Sequence, residues 1–170
     1  MNSSNIGNHL NNKTLSNSAQ IVQDALREKA LALEVLELPS STRTAQDAAA
    51  SIGCEVAQIV KSLLFKTAAK NQPILVLASG INRVNEQTIE QRMGEKIVKA
   101  DANYTREMTG FAIGGIPPLG HKQKINPIFI DEDLLKHDTL WAAAGTPNAV
   151  FHLCSKDLKT ITEGEVISIK

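Results

Sequence analysis

Apolar residues along the chain fall into short strand-like runs and into helix-like spacings. Residues 59–67 and 73–79 are two largely apolar runs with a short polar turn between them. This arrangement is typical of a β-hairpin, and the continuous second run indicates a strand covered on both faces. Residues 139–144 and 149–153 repeat the arrangement around the turn 145–148, so a second hairpin is predicted.

The remaining pattern predicts a mixture of short strands and short helices. Further strands are predicted at 32–38, 96–99, 127–130 and 165–170. Helices are predicted at 18–30, 44–52, 85–93, 101–108 and 155–160, with helical turns at 55–58 and 131–135. The predicted N-caps are Ser18, Thr44, Asp101 and Ser155. Six to eight strands mixed with helices and hairpins predict an α/β (mixed α+β) fold.

The chain has 170 residues, which suits a single domain. Asn and Ser dominate its first part, so residues 1–17 are predicted to be a disordered tail and residues 18–170 the folded domain.

Charge and cysteine content narrow the functional classes. The chain has 18 Lys plus Arg and 18 Asp plus Glu, which argues against a non-specific nucleic-acid coat and gives no reason to expect DNA as a partner. Cys54 and Cys154 form no CxxC pair, and no apolar run reaches the ~18 residues of a membrane span. A reducing cytoplasm with no membrane partner is therefore the expected compartment.

The least ordinary stretch is 110–121, GFAIGGIPPLGH. Its four glycines and two prolines exclude a helix, while residues such as Phe111 and Ile113 are too apolar for a solvated linker. The stretch is either a tight turn between core strands or a buried loop whose backbone approaches a ligand.

Lys61 interrupts the apolar strand 59–67. It lies either on a solvent-facing side of that strand or in a pocket, where its ammonium would hold a phosphate or carboxylate. Ser62 would point to the opposite face unless the strand ends or bulges there. One cation and several backbone donors from the glycine stretch would suit the polarisation of an ester carbonyl and the stabilisation of an oxyanion. His121 is either an acid or base beside the loop or an exposed residue.

Three stretches, in this order, resemble the YbaK/prolyl-tRNA-synthetase-associated editing domains: 60–65 (VKSLLF), 110–121, and 141–150 (WAAAGTPNAV). The similarity extends from about residue 18 to the end of the chain. Family members are deacylases, free-standing or inserted, that hydrolyse the ester between a wrong amino acid and the 3′ end of a tRNA.

The resemblance implies a partly barrel-like mixed sheet flanked by short helices, without a metal or organic cofactor. It implies that Lys61 holds the region of the terminal adenosine and is needed for activity. Gly114 and Gly115 are expected to contact the aminoacyl carbonyl. The remaining residues expected to bind substrate are Ser62, Ile113, His121, Gly145, Thr146, Pro147 and Asn148.

The third motif departs from the family patterns that select alanine or cysteine. No histidine lies in it, and Thr146 and Asn148 stand there instead. Their hydroxyl and amide groups suggest a small polar substrate such as serine or threonine.

The sequence therefore predicts a free-standing aminoacyl-tRNA deacylase that acts in trans on the 3′ acceptor end, with an aminoacyl-tRNA synthetase as a further candidate partner. Two alternatives stay open. The first is a non-catalytic module that binds the tRNA 3′ end or a synthetase, with affinity from a partner or from a local patch such as Lys61, Lys66, Lys122 and Lys124. The second is a hydrolase of small esters or amides.

Overall fold

The computed structural model describes residues 14–40, 42 and 44–170. The helices are α1 (Asn17–Glu28), α2 (Ala45–Ile52), α3 (Glu86–Met93), α4 (Ala102–Thr109) and α5 (Ser155–Thr162), with short 3₁₀ helices at Val56–Gln58 and Glu132–Lys136. The strands are β1 (Val35–Glu37), β2 (Ile59–Thr67), β3 (Pro73–Ser79), β4 (Ile97–Lys99), β5 (Ile128–Asp131), β6 (Thr139–Ala143), β7 (Ala149–Cys154) and β8 (Glu165–Ile167).

The strands form one mixed eight-stranded sheet in the order β1-β7-β6-β2-β3-β5-β8, with β4 paired to β2. Both predicted hairpins, β2–β3 and β6–β7, are antiparallel as expected. The pairs β2–β6, β3–β5 and β5–β8 are parallel. The mixed α+β prediction is confirmed, and the buried residues 74–79 confirm that β3 is covered on both faces.

Helix ends follow local chemistry. The Thr44 hydroxyl accepts a hydrogen bond from the Asp47 amide, and Asp101 caps α4 in the same way. Two predicted caps were wrong. The cap of α1 is Ser16, whose hydroxyl accepts from the Ala19 amide, and the N-cap position of α5 is Cys154. The predicted tail falls mainly on residues 1–13, which lie outside the described residues.

The two faces of the sheet carry separate apolar clusters, and β2 contributes to both. Leu64 packs in a cluster with α1 and Phe111, while Phe65 packs with β3 residues and Ile89 of α3. The alternation of strand side chains explains this division.

One edge of β2 is open for part of its length. Beyond Val60 its pairing with β6 stops, and its pairing with β4 begins only at Phe65. The Leu64 carbonyl still accepts from the Ala100 amide that follows β4, so residues 61–63 keep β3 on one side but have no strand neighbour on the other within the described chain. This gap in the sheet positions the candidate site.

No helix in the described part of the chain has the length and apolarity needed to cross a membrane.

Candidate functional site

A cavity of about 420 Å³ opens at the gap beside β2. Lys61 and Ser62 of β2, with Ile113 and Gly114 of the glycine-rich stretch, line it. The structure thus brings together residues that are about fifty positions apart in the sequence. A fixed cation and an exposed stretch of loop backbone share one concave site, which is the usual setting for a ligand.

The inner wall of this cavity is apolar. It is built by α2, the start of β2, β6 and β7, and its members include Ala48, Ile52, Ile59, Trp141 and Val150. Helix α2 packs there because Ala48 and Ala49 are buried against Ile59. The Trp141 ring is held flat by stacking on His152, with centroids 4.4 Å apart and an interplanar angle of 7°. Sequence reasoning missed this wall, since its members come from four separate elements.

Lys61 is half-buried, and its Nζ donates a hydrogen bond of 2.6 Å to the carbonyl oxygen of Asn82. Burial lowers the pKa of this lysine, and the nearby charge of Asp131 opposes that shift. Lys61 therefore stands in the cavity wall as an anchored cation rather than as a freely solvated surface charge.

The Ser62 hydroxyl oxygen is buried and has no hydrogen-bond partner among the described residues. A buried polar group without a partner is costly in a folded protein. A bound ligand could complete its hydrogen bonding at this position.

The glycine-rich loop lines the cavity with Ile113, Gly114 and Ile116. The Gly115 amide donates to the Ala112 carbonyl at 3.0 Å, so this amide is already occupied in this conformation. Gly114, with φ +90°, is exposed, and its amide has no acceptor in the described part of the chain. Ile113 beside it is 58 % exposed, which leaves an apolar side chain at the cavity mouth.

The predicted third motif supports the loop from behind. The Gly145 amide donates to the Gly115 carbonyl at 2.9 Å. The space between them is so small that a Cβ on Gly115 would come within 3.1 Å of Gly145 and Thr146 backbone atoms. Glycine at 115 thus favours the close approach of the two backbones, because a side chain there would push them apart by a few tenths of an ångström.

The polar groups of the third motif are occupied. The Thr146 hydroxyl donates to Asn148 Oδ1 at 3.0 Å, and Asn148 Nδ2 donates to the Leu38 carbonyl at 3.1 Å. The Pro147 carbonyl accepts from the Thr42 amide, and Thr42 lines the cavity. Gly145, Thr146, Pro147 and Asn148 are absent from the cavity lining among the described residues and instead fix the segments that form it.

His121 is also outside the cavity lining in the described structure. Its Nε2 is 2.7 Å from the Pro117 carbonyl oxygen, to which it donates in the neutral tautomer. Burial lowers its pKa, and the bond to Pro117 works against that change. The geometry gives His121 a role in holding the loop.

A second cavity of about 290 Å³ adjoins the first. The two share Ser62, Leu63, Ile113 and Ile116. Arg83 and Lys99 bring two positive charges and Glu86 one negative charge to the second cavity, beside apolar residues such as Phe65 and Val84. Apolar surfaces with nearby cations suit a planar base linked to a phosphate.

Comparison with known proteins gives consistent results. Residues 39–161 match the family described as "Aminoacyl-tRNA editing domain". The chain is 30% identical over 135 residues to "Uncharacterized protein YwhH" of Bacillus subtilis (strain 168), covering 78% of this chain and 83% of that protein. It is 29% identical over 136 residues to a "Proline--tRNA ligase" of Limosilactobacillus fermentum, covering 72% of this chain but only 24% of the ligase.

Among solved structures, one described as "a putative trans-editing enzyme for prolyl tRNA synthetase" superposes with a TM-score of 0.87 at 44% identity. The match covers 92% of this chain and 99% of the other. The "hypothetical protein APE2540" superposes with a TM-score of 0.80 at 27% identity, covering 88% of this chain and 98% of that one.

Proposed function

Because the chain belongs to the aminoacyl-tRNA editing domain family, we propose that it is a free-standing deacylase that hydrolyses mischarged aminoacyl-tRNA in trans, in the cytoplasm. The observation that carries this proposal is the shared cavity of Lys61 and Gly114. It combines a cation for the anionic 3′ end of the tRNA with a backbone amide for the reacting carbonyl.

In the proposed reaction, water attacks the ester carbonyl carbon, and the Gly114 amide donates to the oxygen that becomes negative. The carbon–oxygen bond to the ribose then breaks, the ribose oxygen takes one proton of the attacking water, the other proton passes to solvent, and the amino acid leaves as a carboxylate. Lys61 holds the phosphate and ribose end in place by charge. A preorganised donor and a fixed substrate account for catalysis without a side-chain nucleophile.

The two cavities suggest how the substrate lies. We place the aminoacyl side chain against the apolar wall formed by Ala48, Ile52 and Trp141, and the terminal nucleoside in the second cavity near Arg83 and Lys99. The ester would then cross the junction at Ser62, whose buried hydroxyl lacks a partner among the described residues.

This placement favours a small, uncharged side chain. The hypothesis of a serine or threonine substrate depended on polar groups of Thr146 and Asn148, and these groups bond to each other and to Leu38. The similarity to proline–tRNA ligases and to the trans-editing structure makes a tRNA for proline that carries a small wrong amino acid the first substrate to test, and makes prolyl-tRNA synthetase the expected partner.

The test is hydrolysis of a panel of tRNAs charged with alanine, serine, threonine, cysteine or the correct proline. Lys61→Ala should lower kcat/KM by about two to three orders of magnitude, since it removes the charged anchor of the substrate. Lys156→Ala is the matched control, because Lys156 is an exposed lysine on α5 that lines neither cavity.

A folded Lys61→Ala protein that hydrolyses the best substrate at the wild-type rate would contradict the proposed mechanism. Tight binding of tRNA without turnover of any panel member would favour the non-catalytic module instead. Equal turnover of free amino-acid esters and of charged tRNA would favour a small-ester hydrolase.

A further inference from the structure

A chain of hydrogen bonds leads from Lys61 to a buried carboxylate behind the cavity. The Asn82 carbonyl accepts from Lys61 Nζ at 2.6 Å. The Asn82 side chain donates from Nδ2 to Asp131 Oδ2 at 2.8 Å and to Asp133 Oδ2 at 2.7 Å. One asparagine therefore holds the lysine with its backbone and two carboxylates with its side chain.

Asp131 is a costly residue for the core to contain. It is 0% exposed at the end of strand β5, and a buried charge is tolerated only where hydrogen bonds satisfy it. Beside the bond from Asn82, it accepts from the Ser79 amide at 3.0 Å and from the Asp133 amide at 3.0 Å. These three donors tie the end of β3, the following loop and the end of β5 together.

Asp133 forms the outer part of the same network. It is 2.8 Å from Lys136 Nζ and 3.0 Å from Lys170 Nζ. The charged groups next to the Lys61 anchor are thus the inner carboxylate Asp131, the outer carboxylate Asp133, and the two lysines that neutralise Asp133. Ala78, the cross-strand partner of Lys61 on β3, is uncharged.

We propose that Asn82 and Asp131 are positioning residues that hold the Lys61 ammonium at the cavity wall in the orientation needed by the 3′ end of the substrate. The expected effect on the rate of deacylation rests on the proposed function. A lysine has a long flexible stem, so a fixed acceptor is needed to keep its charge in one place. Asn82 is that acceptor, and Asp131 fixes the loop that carries Asn82.

Three variants test this proposal. Asn82→Ala removes the amide that bridges both carboxylates, and Asp131→Asn removes the buried charge with little change of shape. Lys136→Met is the matched control, because it removes one ion pair of Asp133 but leaves the bonds from Asn82 in place. We expect a loss of kcat/KM of roughly ten- to a hundred-fold for the first two variants, and a change within about two-fold for the control.

The pH profile separates positioning from general loosening of the fold. The Asp131 charge raises the pKa of Lys61 against the effect of burial. Asp131→Asn should therefore move the alkaline limb of the rate profile to lower pH, after subtraction of spontaneous ester hydrolysis. A variant that is only less well folded loses rate evenly across pH.

A second measurement does not need tRNA. Competitive labelling with acetic anhydride, read by mass spectrometry, reports the deprotonated fraction of each lysine. Labelling of Lys61 at pH 8 should rise at least about three-fold relative to Lys156 in both variants, because Asp131→Asn removes a nearby negative charge and Asn82→Ala frees the loop whose backbone carbonyl accepts from Lys61. It should stay at the wild-type level in Lys136→Met.

The outcomes are distinct. Folded Asn82→Ala protein with wild-type kcat/KM and wild-type Lys61 labelling overturns the positioning role, and it does so even if the buried Asp131→Asn variant fails to fold. Altered labelling together with the expected loss of rate supports it. If the wild-type protein hydrolyses no aminoacyl-tRNA, the deacylase proposal is overturned. Altered Lys61 labelling in the variants would then show that the network holds Lys61, but its catalytic purpose would be overturned as well.

Discussion

Lys61 and Ser62 show how two adjacent strand residues can border one cavity. Their side chains point to opposite faces of β2, opposite Ala78 and Leu77 of β3 respectively. Both residues nevertheless line the same cavity, because β2 has no strand neighbour beside residues 61–63 on its other edge within the described chain. From the sequence, the two side chains are expected to share a site only if the strand ends or bulges at this point. In the structure the strand continues, and it is the pairing along one edge that is interrupted.

His121 gives a pH prediction at the level of a single residue. Its pKa in the folded protein lies below the ordinary value of 6.5, because burial disfavours the charged ring. The unfolded chain then binds more protons than the folded chain as the pH falls through 6.5. As the pH is lowered from 7.5 to 5.5, His121 should lower the free energy of unfolding of the wild-type protein by at most about 1.4 kcal/mol per pH unit. This contribution should be absent from the His121→Gln variant.

Urea unfolding of wild-type protein and His121→Gln at several pH values measures this difference. His137 and His152 are common to both proteins, so their titration cancels in the comparison. Parallel stability curves from pH 5.5 to 7.5 would contradict a buried neutral His121.

At the level of elements, the glycine-rich loop and the turn 145–148 act as one unit. The Gly145 amide bonds the Gly115 carbonyl, and Gly145 itself approaches the start of α1. The sequence predicts each segment separately, because glycine and proline act on their own backbone. Their direct contact could not be predicted, since it depends on where the rest of the sheet places two distant loops.

Gly145→Ala tests that contact. A Cβ at this position would lie 2.7 Å from the Ser18 carbonyl oxygen and 3.1 Å from Phe111 Cε1, and φ is +98°. We expect a loss of about 3 kcal/mol in the free energy of unfolding, from backbone strain and overpacking together, and reduced deacylation as the loop shifts.

Gly53→Ala is the control for this experiment. Gly53 also has a positive φ, +84°, but nothing lies within 4 Å of its Cβ position. Its substitution should cost only about 1 kcal/mol, from backbone conformation alone. Equal losses in the two variants, measured by denaturant unfolding, would show that the Gly145 contact adds nothing to stability.

For the whole molecule, the strands and both hairpins follow from local sequence, while the order of the sheet does not. Ser79 and Asp131 meet because β3 and β5 are parallel neighbours, with Leu77 opposite Ile130. The sequence shows Asp131 only as a polar residue that ends an apolar run. Its role in fixing Asn82 arises from a pairing between strands 49 or more positions apart, and no local pattern reports such a pairing.

The neutral charge of the whole chain sets the last prediction. With 18 basic and 18 acidic residues, the chain has no overall positive excess to follow a long stretch of tRNA backbone, so we expect its contacts to be concentrated at the 3′ end. Each phosphate contact contributes about −0.7 to −0.9 to the slope of log affinity against log salt. We expect a slope of about −2 for log kcat/KM against log salt concentration. An aminoacylated minihelix of the acceptor stem should be hydrolysed with a kcat/KM within about five-fold of that for the full tRNA. A slope of about −6, or a minihelix that is not hydrolysed, would require an extended tRNA interface or a synthetase that delivers the substrate.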